Sequence, residues 1–173
     1  MFKNAYFAGG CFWCTESIFQ RVKGVSSVIP GYMGGYIKNP SYHEVCSGKT
    51  GHTETIKITY DKNIISYSKL LEIFFLTHDP TKLNRQGNDV GTQYRSAVFF
   101  ENQSEKKQIL ESISIFEKKK IYNESFVTEI NKKIEFYDAE TEHHDYYNQN
   151  KSQSYCQFVI RPKIKKFENL LNK

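Results

Sequence analysis

The succession of hydrophobic patterns along this chain predicts an α+β fold, an open α/β sandwich on a mixed, ferredoxin-like sheet. Three observations carry that expectation. Strand-like and helix-like segments are interleaved, with two strands adjacent rather than in strict β–α alternation. A length of 173 residues suits one domain, and a chain of this size buries roughly 70% of its unfolded surface, enough to fold without metal or disulfide. Aromatic residues make up 15% of the chain, which fits a packed interior and argues against disorder. No repeat or linker divides it, so 1–173 reads as a single domain in which 148–173 form a loop-rich C-terminal arm.

The elements follow from local pattern. Ala5 to Ala8 is a short apolar strand running into Gly9-Gly10. Ile18, Phe19 and Val22 fall at helical spacing and stop at Gly24. Val25 to Ile29 reads as a strand, followed by a Gly-rich loop, Gly31-Tyr32-Met33-Gly34-Gly35-Tyr36, too irregular for either period. Thr53 to Tyr60 alternates, with Ile56 and Ile58 on one face, and ends at Asp61. Ser66 caps a helix whose Leu70, Leu71, Phe74 and Phe75 form one stripe, closed before Asp79-Pro80. Thr81 to Arg95 is a long polar loop, and such loops in compact domains are usually functional or mobile. Ala97 to Phe100 is a strand and Ser104 to Lys119 a helix, with Ile109, Ile113 and Phe116 inward. Phe126 to Ile130 and Ile134 to Tyr137 are strands, Thr141 to Asn150 a polar helix, and Pro162 to Leu171 a terminal one.

Composition excludes several classes of function. No run of about 18 apolar residues exists to span a membrane, and Met1 to Ala5 lacks the apolar core of a signal peptide. A cytoplasmic location is therefore expected, where cysteines stay reduced and serve structure, metal binding or catalysis. The net charge of +5 is concentrated between Arg161 and Lys173, and no basic-aromatic array accompanies it. That is a solvated basic helix end, not a nucleic-acid surface.

The chemistry centres on Gly10-Cys11-Phe12-Trp13-Cys14. A cysteine after Gly-Gly and at a helix start is placed where the backbone dipole favours a thiolate over the ordinary thiol, so Cys11 is expected to be an activated nucleophile. Phe12 and Trp13 diverge at consecutive positions, and either core packing or contact with an apolar ligand suits them. Cys11 and Cys14 form a C-x-x-C, open to dithiol redox chemistry or to zinc with His43 and Cys46. Glu54, Tyr42, Asp89 and Tyr94, taken singly, have the properties of surface or loop residues. Cys156 follows a Ser/Gln/Asn-rich stretch that looks flexible, so it is either a resolving thiol on a mobile arm or a buried structural cysteine.

Together these motifs resemble the type A peptide methionine sulfoxide reductases. The resemblance rests on Gly10-Cys11-Phe12-Trp13, Gly31 to Tyr36, Asn39-Pro40-Ser41-Tyr42, Thr50-Gly51-His52-Thr53-Glu54, His78-Asp79-Pro80, Gln86 to Ser96, Phe136 to Glu140, His144-Asp145-Tyr146-Tyr147 and Tyr155-Cys156, in that order. It implies reduction of methionine S-sulfoxide, free or in proteins, with no bound cofactor or metal and with thioredoxin as external reductant. It also implies a monomer. Cys11 would attack the sulfoxide sulfur, Phe12 and Trp13 would hold its methyl group, and Glu54, Tyr42 and Tyr94 would bind its oxygen. Asp89 would position the substrate backbone and Cys156 would resolve the sulfenic acid. Because a carboxyl donates a proton at neutral pH only when burial raises its pKa, Glu54 is expected to be buried beside Cys11. The chain departs from the family pattern in two places. Ser154 stands where such sequences commonly carry Gly, and no cysteine follows Cys156 to shuttle oxidation onward. Cys14 competes with Cys156 as resolver, and Cys156 is favoured because an i, i+3 position on the helix often points inward.

Overall fold

The structure, a computed structural model, describes residues 1–172; Lys173, the last residue of the expected arm, lies outside the described residues. β1 (Phe2–Ala8) alternates, Ala5 and Phe7 facing the main core and Tyr6 and Ala8 the opposite face of the sheet. Gly9 and Gly10 turn the chain directly into α1 (Phe12–Phe19). A Cβ at Gly9 would lie 2.8 Å from the Phe74 ring, and Gly10 has a φ of +88° with Gln86 just as close, so neither position tolerates a side chain.

β2 (Val25–Met33) is longer than its pattern suggests, because Gly31 and Tyr32 are extended and pair with Asp138 and Tyr137. The expected Gly-rich loop is therefore half strand. The sequence pattern also missed α2 (Tyr42–Cys46), one turn begun by a capping box in which the Ser41 hydroxyl accepts the Glu44 N–H and the Glu44 carboxylate accepts that of Ser41. β3 (Thr53–Asp61) and α3 (Tyr67–Thr77) lie as expected, and Ser66 caps α3 through the Lys69 N–H at 3.1 Å. The long polar loop contains a small hairpin, β4 (Arg85–Gln86) and β5 (Asp89–Val90), then a 3₁₀ turn over Thr92–Tyr94.

β6 (Ala97–Phe100) and α4 (Gln103–Lys118) follow. The next two strands begin later than expected. Phe126 is not in a strand but packs on Phe75 and Phe116, and β7 (Glu129–Lys132) starts beyond it. β8 (Tyr137–Asp138) keeps only the end of the second expected strand. The predicted polar helix is split, a 3₁₀ turn over Thr141–His143 and α5 (Tyr146–Gln149), because Asp145 between them is left-handed with φ 55°. The C-terminal arm is more helical than loop-like. A π-helical turn, Cys156–Ile160, runs straight into α6 (Arg161–Leu171), and Pro162, which has no N–H to give the preceding turn, accounts for its widening.

The sheet order is β7-β6-β1-β3-β2-β8. Its central four strands, with α1 and α3, form a β-α-β-β-α-β ferredoxin-like unit, antiparallel throughout, and parallel β7 at the edge makes the sheet mixed. The main core, with Phe7, Phe12, Phe19, Phe74 and Phe75 fully buried, lies between one face and the helices. No helix among the described residues is long and apolar enough to cross a membrane.

Candidate active site

Cys11 is the N-cap of α1, and the turn above it is satisfied from inside the protein. The Phe12 N–H, one of the free donors of the first turn, gives its proton to Glu54 Oε1 at 3.0 Å. Glu54 reaches this position because it shares the inward face of β3 with Ile56 and Ile58, two and four residues on. It is 1% exposed, and Oε2 has no hydrogen-bond partner among the described residues. Burial dominates its ionisation. It lifts the carboxyl pKa from 4.5 to about 8, against the lowering effect of the Phe12 N–H, so Glu54 is protonated at neutral pH.

Cys11 does not meet the expectation of an activated resting thiolate. The Trp13 N–H favours the thiolate, but burial outweighs it, and Cys14 and Glu54 push in the same direction as burial. In the closed, water-poor site the Cys11 thiol lies well above its ordinary pKa. The helix N-terminus contributes less than desolvation because only one amide points at the sulfur.

Tyr42 and Tyr94 are half-buried and border the same carboxyl. Burial first and Glu54 second raise both phenols, so each is a neutral O–H donor. Glu140 orients Tyr42 by accepting its backbone N–H at 2.9 Å, and accepts the Tyr32 hydroxyl at 2.9 Å. Phe12 is sealed in the core against Tyr32, Tyr42 and His143. Trp13 is partly buried, stacked on Tyr146 at 3.8 Å, and its Nε1 donates to His143 Nδ1 at 3.2 Å. Glu16, also buried, accepts the Asp145 N–H and so fixes the chain leading to Tyr146. Asp89 sits on β5, where its Oδ2 accepts the Tyr155 hydroxyl at 2.6 Å. Tyr146, Tyr155 and Glu140 lay within the motifs quoted above and His143 just before one of them, but nothing in their spacing gave them roles.

Cys156 is not on a mobile arm; it is fully buried in the π-helical turn. The mobile-arm expectation suits only the exposed stretch before it, Lys151 to Ser154, and Ser154 itself is exposed. Nor does the fold assemble the zinc set. His43 is exposed on α2, and among the described residues the metal-type donors that come within ligand distance of one another are Glu140, Glu142 and His143.

A protonated carboxyl with a free oxygen, two phenol donors, a thiol and an aromatic wall in one cleft suit delivery of a proton to an oxygen while sulfur attacks beside it. A family model described as peptide methionine sulfoxide reductase matches residues 3–173. The chain belongs to this family. As a member, it is an oxidoreductase that reduces peptide methionine sulfoxide. The MsrA reductase of Saccharolobus solfataricus is 53% identical over 166 residues, covering 96% of this chain and 93% of the relative. That of Leptospira borgpetersenii is 48% identical, covering 95% and 93%. Among solved reductases, yeast Mxr1 in its reduced form superposes with a TM-score of 0.84 at 31% identity, covering 90% of this chain and 89% of that one. Methionine sulfoxide reductase A of Corynebacterium diphtheriae gives 0.77 at 32%, covering 86% and 75%. The reductase fold therefore extends over nearly all of this chain.

Proposed function

We propose that this reductase converts methionine S-sulfoxide, free or within proteins, to methionine through a cysteine sulfenic acid, and that thioredoxin returns it to the reduced state. The observation that carries the mechanism is the buried, protonated Glu54, whose Oε2 has no partner among the described residues. An unpartnered buried oxygen costs about 1–3 kcal/mol, and a sulfoxide oxygen at this point would relieve it. On this reading Trp13 and Phe12 hold the methyl group and Asp89 takes a backbone N–H of the substrate.

The sulfoxide oxygen accepts hydrogen bonds from Glu54, Tyr42 and Tyr94, which draws electrons from sulfur and makes it electrophilic. Cys11 forms a bond to that sulfur as its thiol proton and the Glu54 proton are shared with the oxygen. Oxygen then passes to Cys11, methionine leaves, and Glu54 is reprotonated. Sulfoxide and thiol have become sulfide and sulfenic acid, with no net proton change. The Cys156 thiol condenses with the sulfenic acid and releases water, leaving a disulfide for an external dithiol. Thioredoxin as that dithiol is supported by yeast Mxr1, which has been solved in complex with Trx2.

The deciding assay is thioredoxin-coupled turnover of the two separated methionine sulfoxide epimers. Turnover of the S epimer alone, abolished by Cys11→Ser, is the expected result. Equal use of both epimers, or activity retained in Cys11→Ser, would overturn the assignment.

A further inference from the structure

Glu16 is a buried carboxyl that the mechanism above does not use. Every residue of α1 from Cys14 to Phe19 is buried, and Glu16 in their midst is 2% exposed. An apolar side chain would fill that position without desolvating a charge. Burial accordingly pushes the Glu16 carboxyl up to about 7, against the backbone N–H groups of Asp145 and Tyr146, which favour its ionised form. What the carboxyl does there is hold one distant corner of the chain. Its Oε2 accepts the Asp145 N–H at 2.9 Å, across 129 positions.

Asp145 is the left-handed residue, φ 55°, between the 3₁₀ turn over Thr141–His143 and α5. A non-glycine residue is strained in that conformation and stays there only where its surroundings hold it. Besides the bond to Glu16, Asp145 Oδ1 accepts Gln20 Nε2 at 3.1 Å and Asn148 Nδ2 at 2.7 Å. Glu16 and Gln20 lie one turn apart, so the end of α1 grips the corner through both its N–H and its side chain. The two supports of the Trp13 indole flank this corner. On one side Tyr146 lies face to face with the indole, ring centres 3.8 Å apart and planes 9° from parallel. On the other, His143 Nδ1 accepts the indole N–H at 3.2 Å. α1 therefore carries Trp13 itself and, through Glu16, fixes the rings that brace it.

We propose that Glu16 is the positioning residue of the methyl-binding wall, holding the Asp145 corner so that Tyr146 and His143 keep Trp13 in place. The proposal rests on the reading of Trp13 as that wall. A wall braced before substrate arrives need not be ordered by it, so the corner acts on substrate affinity and not on the proton transfers at Glu54 and Cys11.

Trp13 is the one tryptophan of the chain, so its fluorescence reports the wall directly. Glu16→Leu should raise KM for a methionine sulfoxide peptide about fivefold with kcat within about twofold, and should shift the Trp13 emission as the stack on Tyr146 loosens. Glu16→Gln, whose amide oxygen can still accept the Asp145 N–H, should return KM to within about twofold of wild type. Tyr146→Leu should raise KM to a similar degree, and the double variant should be no worse than either single one, because both act through one stack. Wild-type KM and emission in Glu16→Leu, equal losses in the Leu and Gln variants, or full additivity with Tyr146→Leu would overturn the proposal. Should Glu16→Leu not fold, hydrogen exchange of the Asp145 and Tyr146 amides in the wild-type protein decides. Both should be protected, and exchange at the rate of a free amide would overturn the proposal. Trp13→Ala is measured alongside. If it leaves KM unchanged, the wall reading fails and the proposal with it; if it raises KM while Glu16→Leu does not, the proposal alone fails.

Discussion

Replacing Glu54 by Gln separates what its proton does for chemistry from what its burial does to stability. Gln keeps the volume and can still accept the Phe12 N–H, now at 3.0 Å from Oε1, but it has no proton to give. Loss of general-acid catalysis at this site should lower kcat/KM by about 10²–10⁴-fold, or about 3–5 kcal/mol of transition-state stabilisation. Stability should move the other way. The carboxyl is protonated in the folded protein up to about pH 8 but ionises near 4.5 once unfolded. Between these values the folded state binds the extra proton, so the contribution to stability is fully present below 4.5 and is lost as pH rises. At pH 7 the loss is about 3 kcal/mol, and Gln, which never ionises, avoids it. Denaturant unfolding at pH 5 and pH 7.5, paired with sulfoxide turnover, tests both parts. Wild-type activity should decline above about pH 8 as Glu54 ionises. A turnover loss under threefold would remove Glu54 as the acid, and equal stability of the two proteins at pH 7.5 would refute the buried, protonated carboxyl.

Other substitutions test separate parts of the molecule. Cys156→Ser should release about one equivalent of methionine per enzyme and then stall with thioredoxin, measured by rapid quench; sustained turnover would move the final disulfide elsewhere. Trp13→Ala removes the partly buried wall stacked on Tyr146 and should raise KM roughly tenfold with kcat little changed, as expected for lost uniform binding. Ser66→Ala deletes the cap on the Lys69 N–H and should cost about 1 kcal/mol in thermal unfolding while leaving turnover intact.

Much of this protein was legible along the chain because its signals are local. Ile56 and Ile58 at period two marked β3, the Leu70 to Phe75 stripe marked α3, and Ser66 marked its start. Glu54 taken singly read as a surface carboxylate, and its burial was expected only through the family resemblance, although its period-two spacing from Ile56 and Ile58 puts it on their inward face. The less accurate elements depend on distant partners. Gly31 and Tyr32 are strand because β8 pairs with them, and β7 begins late because the Phe126 ring is claimed by Phe75 and Phe116. Asp145 breaks a helix through one left-handed residue that no periodicity announces.

The sequence by itself determined the family and the α+β class with its mixed, ferredoxin-like sheet, since ordered motifs and alternation survive without knowledge of contacts. Only the tertiary structure decided how far water is removed from each thiol and which charges reach it. Placement at a helix start favoured a Cys11 thiolate, but ionisation depends on water and on charges brought from elsewhere in the chain. Closure of the core over Cys11 removes its solvent, and α6 delivers Lys163 to Cys14 across 149 positions. Desolvation outweighs the local dipole at Cys11 and raises its thiol, while the remote ammonium favours the thiolate at Cys14.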